Sequence, residues 1–342
     1  MTHETSILII YTGGTIGMVH DPRTGILKPL GFDNLYKHLP VLESLNFHID
    51  FHTFDPLLDS SNMHPSFWIK LAGVIEENYE QYDGFVVLHG SDTMAYSASA
   101  LSFMLENLNK PVIFTGSQLP IGVVRTDGRD NLINSIEIAA AQEEETPVVP
   151  EVAICFENRL FRGNRTTKFN AEHFQAFVSG NYPILADIGV HIRYNRMHIL
   201  KPNFKKLKVH KVFDENILIL KLFPGISKQA VDCALQTSGL KGIIFETFGA
   251  GNAPTAPWFI DSLKEALDRG IILFNVTQCK GGAVELGKYE TSAELGRIGV
   301  VSGYDITTES AVAKMMYLLG YDFEKDETER LLQTSLRGEM TV

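Results

Sequence analysis

The segment "ILIIYTGGTIGM" covers residues 7–18, and its reading decides how the chain folds. Its opening run of strand-forming residues goes straight into Thr-Gly-Gly-Thr. An unbroken apolar run of this length suits a strand buried on both faces, as in the interior of a parallel sheet. The two glycines let the backbone turn tightly where the strand ends. In open α/β sheets, ligands sit in the crevice outside the carboxyl ends of the strands. Thr12 and Thr15 are therefore expected to stand at such a crevice with exposed hydroxyls. A phosphate loop does not fit, because the spacing is not G-x-G-x-x-G and no Lys-Ser/Thr follows the glycines.

The same strand texture recurs along the chain. "FHIDFHTF" (47–54), "GFVVLHG" (84–90), "PVIFTG" (111–116) and "EVAICF" (151–156) read as strands. Between them, residues 66–82, 96–108 and 129–142 carry apolar side chains at helical spacing. Strands alternating with helices predict a mainly parallel sheet covered on both faces. This pattern extends to about residue 190. A Lys-, Arg- and Asn-rich stretch, 191–212, reads as a linker. A second α/β run then begins, with strands at 216–223, 242–249 and 270–277 and helices at 227–237, 258–270, 308–320 and 325–336. The expected fold class is α/β with two α/β domains. A larger N-terminal domain at 1–190 would be followed by a smaller C-terminal domain at 213–342.

Bulk properties narrow the chemistry. With 342 residues, 44% of them hydrophobic and 21% charged, the chain has material for two packed cores. A formal net charge of −11 disfavours nucleic acid, whose phosphates it would repel. It suits a protein acting on small molecules. Cys155, Cys233 and Cys279 are widely spaced, with no metal pattern and one thiol left over from any pairing, so a reducing cytoplasm is the expected home. "MTHETSILIIY" lacks a signal peptide's basic start, and no apolar run reaches the ~18 residues of a membrane span. No membrane partner is expected.

Several motifs place reactive side chains at strand ends. "LHGSDTMAYSASAL" (88–101) puts Ser91, Asp92 and Thr93 between a strand and a helix. Helix capping is the plain reading of such residues. The sharper one is a hydroxyl and a carboxylate sharing a strand tip with the Thr15 loop. "RGNRTTK" (162–168) ends in Lys168, which could serve as a base if drawn into a crevice beside Asp92. "LDSSNM" (58–63) adds Asp59, Ser60 and Ser61, either a cap or a polar ligand site. His89, at a strand end, reads as structural. No H-E-x-x-H, paired cysteine or G-x-S-x-G occurs, so no metal site is expected.

Taken together, "YTGGTIGM", "HGSDTMAYSASALSFMLENL", "TGSQLP" (115–120) and "RLFRGNRTTK" (159–168) resemble the type I, cytoplasmic-type bacterial L-asparaginases. "GAGNAP" (249–254) and "NVTQCKGG" (275–282) extend the likeness into the second domain. The resemblance implies hydrolysis of L-asparagine to L-aspartate and ammonia, often with weaker action on glutamine, and no metal or organic cofactor. It implies Thr15 as the nucleophile and Ser91 at the place of a family threonine. Asp92 would bind the substrate amino group, and Lys168 would be the catalytic lysine. Asp59, Ser60 and Ser61 would hold the substrate's α-carboxylate and amino group. Serine at 91 keeps the hydroxyl and loses the methyl that stiffens χ1.

A tyrosine that many members carry in a lid after the first threonine is missing from 17–29, where Ile26 stands near its place; Tyr289 is the substitute candidate. The family's site lies between subunits, which implies a homodimer or homotetramer with Asn252 contacting substrate across the interface. An allosteric asparagine site in known members uses a threonine, a cysteine and an arginine. Thr167 and Cys279 match, but the arginine's place is taken by Glu246, whose charge would repel a ligand carboxylate. The alternatives are a broader glutaminase-asparaginase, an amidotransferase subunit or an idle amino-acid sensor. The amidotransferase subunit normally carries an extra N-terminal domain, for which a "TGGTIG" at residue 12 leaves no room.

Overall fold

The structure, a computed structural model, describes residues 4–20, 27–29, 42, 45, 47–288 and 290–342. The chain divides into two compact units between His210 and Lys211. In the first unit the elements run β1 (Ser6–Tyr11), β2 (His48–Thr53), α1 (Pro65–Asn78), β3 (Gly84–Leu88), α2 (Met94–Met104), β4 (Val112–Thr115), α3 (Gly128–Ala140) and β5 (Val152–Phe156). They continue with β6 (Arg159–Arg162), β7 (Ala186–Ile188) and β8 (Ile192–Tyr194). Among the described residues these strands form one eight-stranded sheet in the order β8-β7-β6-β5-β4-β3-β1-β2. From β2 to β5 every pairing is parallel; β6, β7 and β8 are added by antiparallel pairings.

Alternation along the strands explains the two covered faces. Ile7, Ile9, Tyr11, Val86, Leu88 and Ile113 pack with Leu132 and Ile136 of α3 in one core. The neighbouring residues point the other way: Phe85 stacks on Tyr79 at the end of α1, and α1 in turn packs on α2. All six residues of β1 are buried, as an apolar run without polar alternation requires. The β5–β6 hairpin turns through Glu157 and Asn158, both at positive φ, the conformation that two-residue hairpin turns need.

The stretch 191–212 is not a free connector. Ile192–Tyr194 is the edge strand β8, and Lys208–Val209 pairs antiparallel with Leu105–Glu106. Asn109 binds the backbone of Asn203, Phe204 and Lys205 through its side chain. The polar composition that suggests a linker serves instead to tie this stretch to the first unit.

The second unit runs β9 (Ile217–Lys221), α4 (Lys228–Leu235), β10 (Gly242–Thr247), α5 (Pro257–Asp268), β11 (Ile272–Thr277), α6 (Glu290–Ile298), β12 (Val301–Ser302), α7 (Thr308–Leu319) and α8 (Lys325–Leu332). Its four strands, in the order β9-β10-β11-β12, are all parallel. Val231, Leu263, Leu273 and Phe245 centre a separate core. The α6–β12 pair was not anticipated, because Gly296 and Gly299 interrupt the apolar period there. Among the described residues, no helix is long and apolar enough to cross a membrane.

Candidate active site

Four adjacent parallel strands, β2, β1, β3 and β4, end on the same edge of the sheet, and their loops knit together through backbone. Thr12 N–H donates to Leu88 O at 3.0 Å, and Leu58 N–H donates to Thr12 O at 2.9 Å. Gly13 and Gly14 both have positive φ, 137° and 89°. A Cβ on Gly13 would lie 2.0 Å from Leu58 O, and one on Gly14 would lie 2.6 Å from the Cα of Gly90. A Cβ on Gly90 would meet the Ser60 hydroxyl at 2.4 Å. The glycines therefore permit three loop tips to close on one another, which no other residue type could match.

This packing settles where each hydroxyl goes. Thr12, expected to be exposed, is buried, and its hydroxyl donates to Leu88 O at 2.9 Å. The tight turn itself folds that side chain inward, so only Thr15 remains at the strand tip. Thr15 starts a short 3₁₀ turn, Thr15–Gly17, is half-buried, and its hydroxyl makes no hydrogen bond to any described residue.

At the tip of β3, Lys168 Nζ donates to Ser91 Oγ at 2.9 Å and lies 2.5 Å from Asp92 Oδ1. Three of the sequence-derived residues thus touch directly. Capping does not account for them. The residue that caps α2 is Thr93, its side chain makes no cap bond, and its hydroxyl donates instead to Ser60 O at 2.7 Å. Asp59, by contrast, does cap: it accepts from both the N–H and the hydroxyl of Ser61, at 2.8 and 2.7 Å. Those two donors, the hydroxyl foremost, hold the Asp59 carboxyl below its usual range. Ser60 is buried beside Gly90.

Lys168 is delivered by a rigid arm. Arg162 and Glu151 form a buried ion pair at 2.7 Å just before it, and Asn164 donates to Ser102 Oγ at 3.1 Å. Thr167–Lys168 then pairs with Phe177–Val178.

A residue given no role from sequence joins this arm to Ser91. Gln118 follows β4; its Nε2 donates to Ala171 O and His173 O, both at 3.1 Å. With its donors so committed, its Oε1 faces Ser91 and accepts from Oγ at 3.4 Å. Asp127 holds the Gln118 backbone N–H. Its place in "TGSQLP", just past the end of β4, is the only signal the sequence offers.

His89 behaves as the structural residue expected. Trp68 Nε1–H donates to Ser97 Oγ, Ser97 Oγ–H to His89 Nε2, and His89 Nδ1–H to Gly90 O at 2.7 Å. This buried chain sets the orientation of the Gly90 peptide, next to Ser91 and against Gly14. Burial pushes the His89 pKa down to about 4, so the imidazole is neutral near pH 7.

Asn252 lies in the second unit, in a turn closed by hydrogen bonds between Phe248 N–H and Asn252 O and between Asn252 N–H and Phe248 O. Tyr289 and Ile26 lie outside the described residues. Glu246 is buried; its Oε1 accepts from Thr308 Oγ1 at 2.6 Å, and its Oε2 lies 3.2 Å from Lys221 Nζ. Thr167 is buried in the first unit, and Cys279 is exposed in the second. Among the described residues, no group of three or more His, Cys, Asp or Glu is placed to hold a metal ion.

The family model described as Asparaginase, N-terminal matches residues 6–200, and the Glutaminase/Asparaginase C-terminal domain matches residues 216–332. The chain is 42% identical to L-asparaginase 1 of Escherichia coli (strain K12), covering 99% of this chain and 98% of that protein. It is 41% identical to the 60 kDa lysophospholipase of Mus musculus, covering all of this chain and 64% of that protein. The crystal structure of L-asparaginase I from Vibrio cholerae O1 biovar eltor str. N16961 superposes with a TM-score of 0.89 at 42% identity, covering 99% of this chain and 100% of that one.

Proposed function

The chain belongs to the asparaginase family across both of its domains, and from that premise we propose that it hydrolyses L-asparagine to L-aspartate and ammonia. The observation that carries this reading is Lys168 bridging Ser91 Oγ and Asp92 Oδ1 beside the loop that presents Thr15.

In this mechanism Thr15 Oγ attacks the side-chain amide carbon of asparagine. The threonine proton leaves through Ser91 and Lys168, with Asp92 alongside and Tyr289 assisting. The C–N bond breaks as the leaving amide nitrogen takes up the proton given by Thr15 and departs as ammonia, and an aspartyl ester remains on Thr15. Water then adds to the ester carbonyl and releases aspartate and the threonine hydroxyl. Backbone N–H groups of the glycine turn and of the segment beside Ser91 supply donors for the oxyanion formed in each step. Asp92 pairs with the substrate ammonium. Ser60, and Ser61 held by Asp59, receive the α-carboxylate, and Asn252 of a neighbouring copy adds a contact across the subunit interface. No metal or organic cofactor takes part. The enzyme works in the cytoplasm as a homodimer or homotetramer.

Ammonia release from the purified protein tests the reading, with L-asparagine and L-glutamine side by side, and fatty-acid release from a lysophospholipid is followed in parallel. Asparagine is expected to be turned over fastest, and the lysophospholipid not at all. Thr15→Ala should lower asparagine turnover by on the order of a thousandfold or more while L-aspartate still binds by calorimetry. Substantial turnover by Thr15→Ala would refute the nucleophile. Binding without turnover by the unaltered protein would make it a sensor.

A further inference from the structure

The side chain of Asn252 is held by a partner outside its own turn. Thr291 Oγ1–H donates to Asn252 Oδ1 at 2.7 Å. Asn252 Nδ2 makes no hydrogen bond to any described residue, so both of its N–H donors are available. An amide fixed at its oxygen and open at its nitrogen is set to donate to an anionic or carbonyl oxygen.

Thr291 is brought to this place by a docked segment. Glu285 N–H donates to Ala250 O at 3.0 Å. Gly251, at φ +101°, lies so close to Val284 that a Cβ would meet its Cγ1 at 2.8 Å. Ser292, fully buried, accepts from Gly287 N–H at 3.3 Å and so fastens the start of α6 to the same segment. From the other side, Thr277 Oγ1–H donates to Gly249 O at 2.6 Å, and Asn275 Nδ2 donates to Gly251 O at 3.3 Å. The turn backbone is thus held without Thr291, and the Thr291 hydroxyl is left to act on the amide alone.

We propose that Thr291 is a positioning residue for asparagine binding, orienting the Asn252 amide so that its N–H donors face the substrate. The inference rests on the reading of Asn252 as a substrate contact. Without that bond the amide would rotate freely, and its N–H donors would face the substrate for only part of the time.

The test compares Thr291→Val, Thr291→Ser and Asn252→Ala in the full-length protein. Initial rates of ammonia release are read against asparagine concentration, and L-aspartate binding is read by calorimetry. Thr291→Val should raise KM and the aspartate Kd by about two- to tenfold, the range of one lost hydrogen bond. Its kcat and thermal midpoint should not change. Thr291→Ser should restore both constants, and Thr291→Val should add nothing in an Asn252→Ala background. Unchanged KM in Thr291→Val beside a raised KM in Asn252→Ala overturns the role of Thr291 alone. Unchanged KM in both overturns the assignment of Asn252 and, with it, this proposal. A fall in kcat with unchanged KM, or a lowered thermal midpoint that serine does not rescue, also overturns it.

Discussion

Burial keeps His89 neutral, and that has a measurable consequence for stability. The unfolded chain protonates this imidazole near pH 6.5, the folded chain only near pH 4. Between those values the unfolded state binds more protons, so stability falls as pH drops through the window, by at most about 3 kcal/mol. Urea unfolding at a series of pH values should show the loss, and His89→Gln should remove this component of the slope. Equal slopes for the two proteins would contradict it. The contact of Lys168 with Ser91 and Asp92 is foreshadowed by hydroxyl, carboxylate and amine standing beside strand ends in the sequence. The burial of Thr12 is not legible, because sequence does not reveal that the turn directs its hydroxyl back to Leu88 O. Gln118 went without a role because a glutamine after a strand has no distinctive chemistry until its amide partners, Ala171 O and His173 O, are seen.

Helix α7 shows the same contrast at the level of elements. Its helical period was plain from "TESAVAKMMYLLG", yet Lys314 within it would pass for a solvated charge. In the fold it is wholly enclosed with Glu339 at 2.7 Å, and it also donates to Leu332 O and Thr334 O at 2.9 and 2.6 Å. Glu339 in turn accepts from the backbone N–H groups of Leu336 and Arg337. Burial lowers the Lys314 pKa to about 8 while Glu339 opposes the shift. Glu339→Gln leaves an ammonium enclosed without its counter-charge, and should cost about 3–5 kcal/mol in denaturant unfolding. Replacing both residues by methionine should cost much less, since no unpaired charge remains. A loss below about 1 kcal/mol for Glu339→Gln, the range of an exposed pair, would show that the pair is not shielded from water. No sequence pattern links a helix position to a carboxylate so far along the chain; only the packing of the tail under α7 does.

Across the whole molecule, the two-part α/β architecture followed from strand–helix alternation, and the division was blurred only where Asn-rich ties resemble a linker. Glu246 belongs to this scale, since it stands where the resemblance implies an arginine of an allosteric asparagine site. Its carboxylate, engaged by Thr308 and Lys221, offers no cation to a ligand carboxylate. Asparagine saturation should therefore be hyperbolic; a sigmoidal curve that Glu246→Arg leaves untouched would contradict this. The contact of Gly14 with Gly90 reaches further than catalysis. Those glycines are demanded by how closely the main chains approach, whereas Thr15, as the proposed nucleophile, is demanded only by the reaction. Descendants that abandon hydrolysis should drift at the threonine while keeping both glycines. A mutational scan scored once for abundance and once for activity should separate the two kinds of position cleanly.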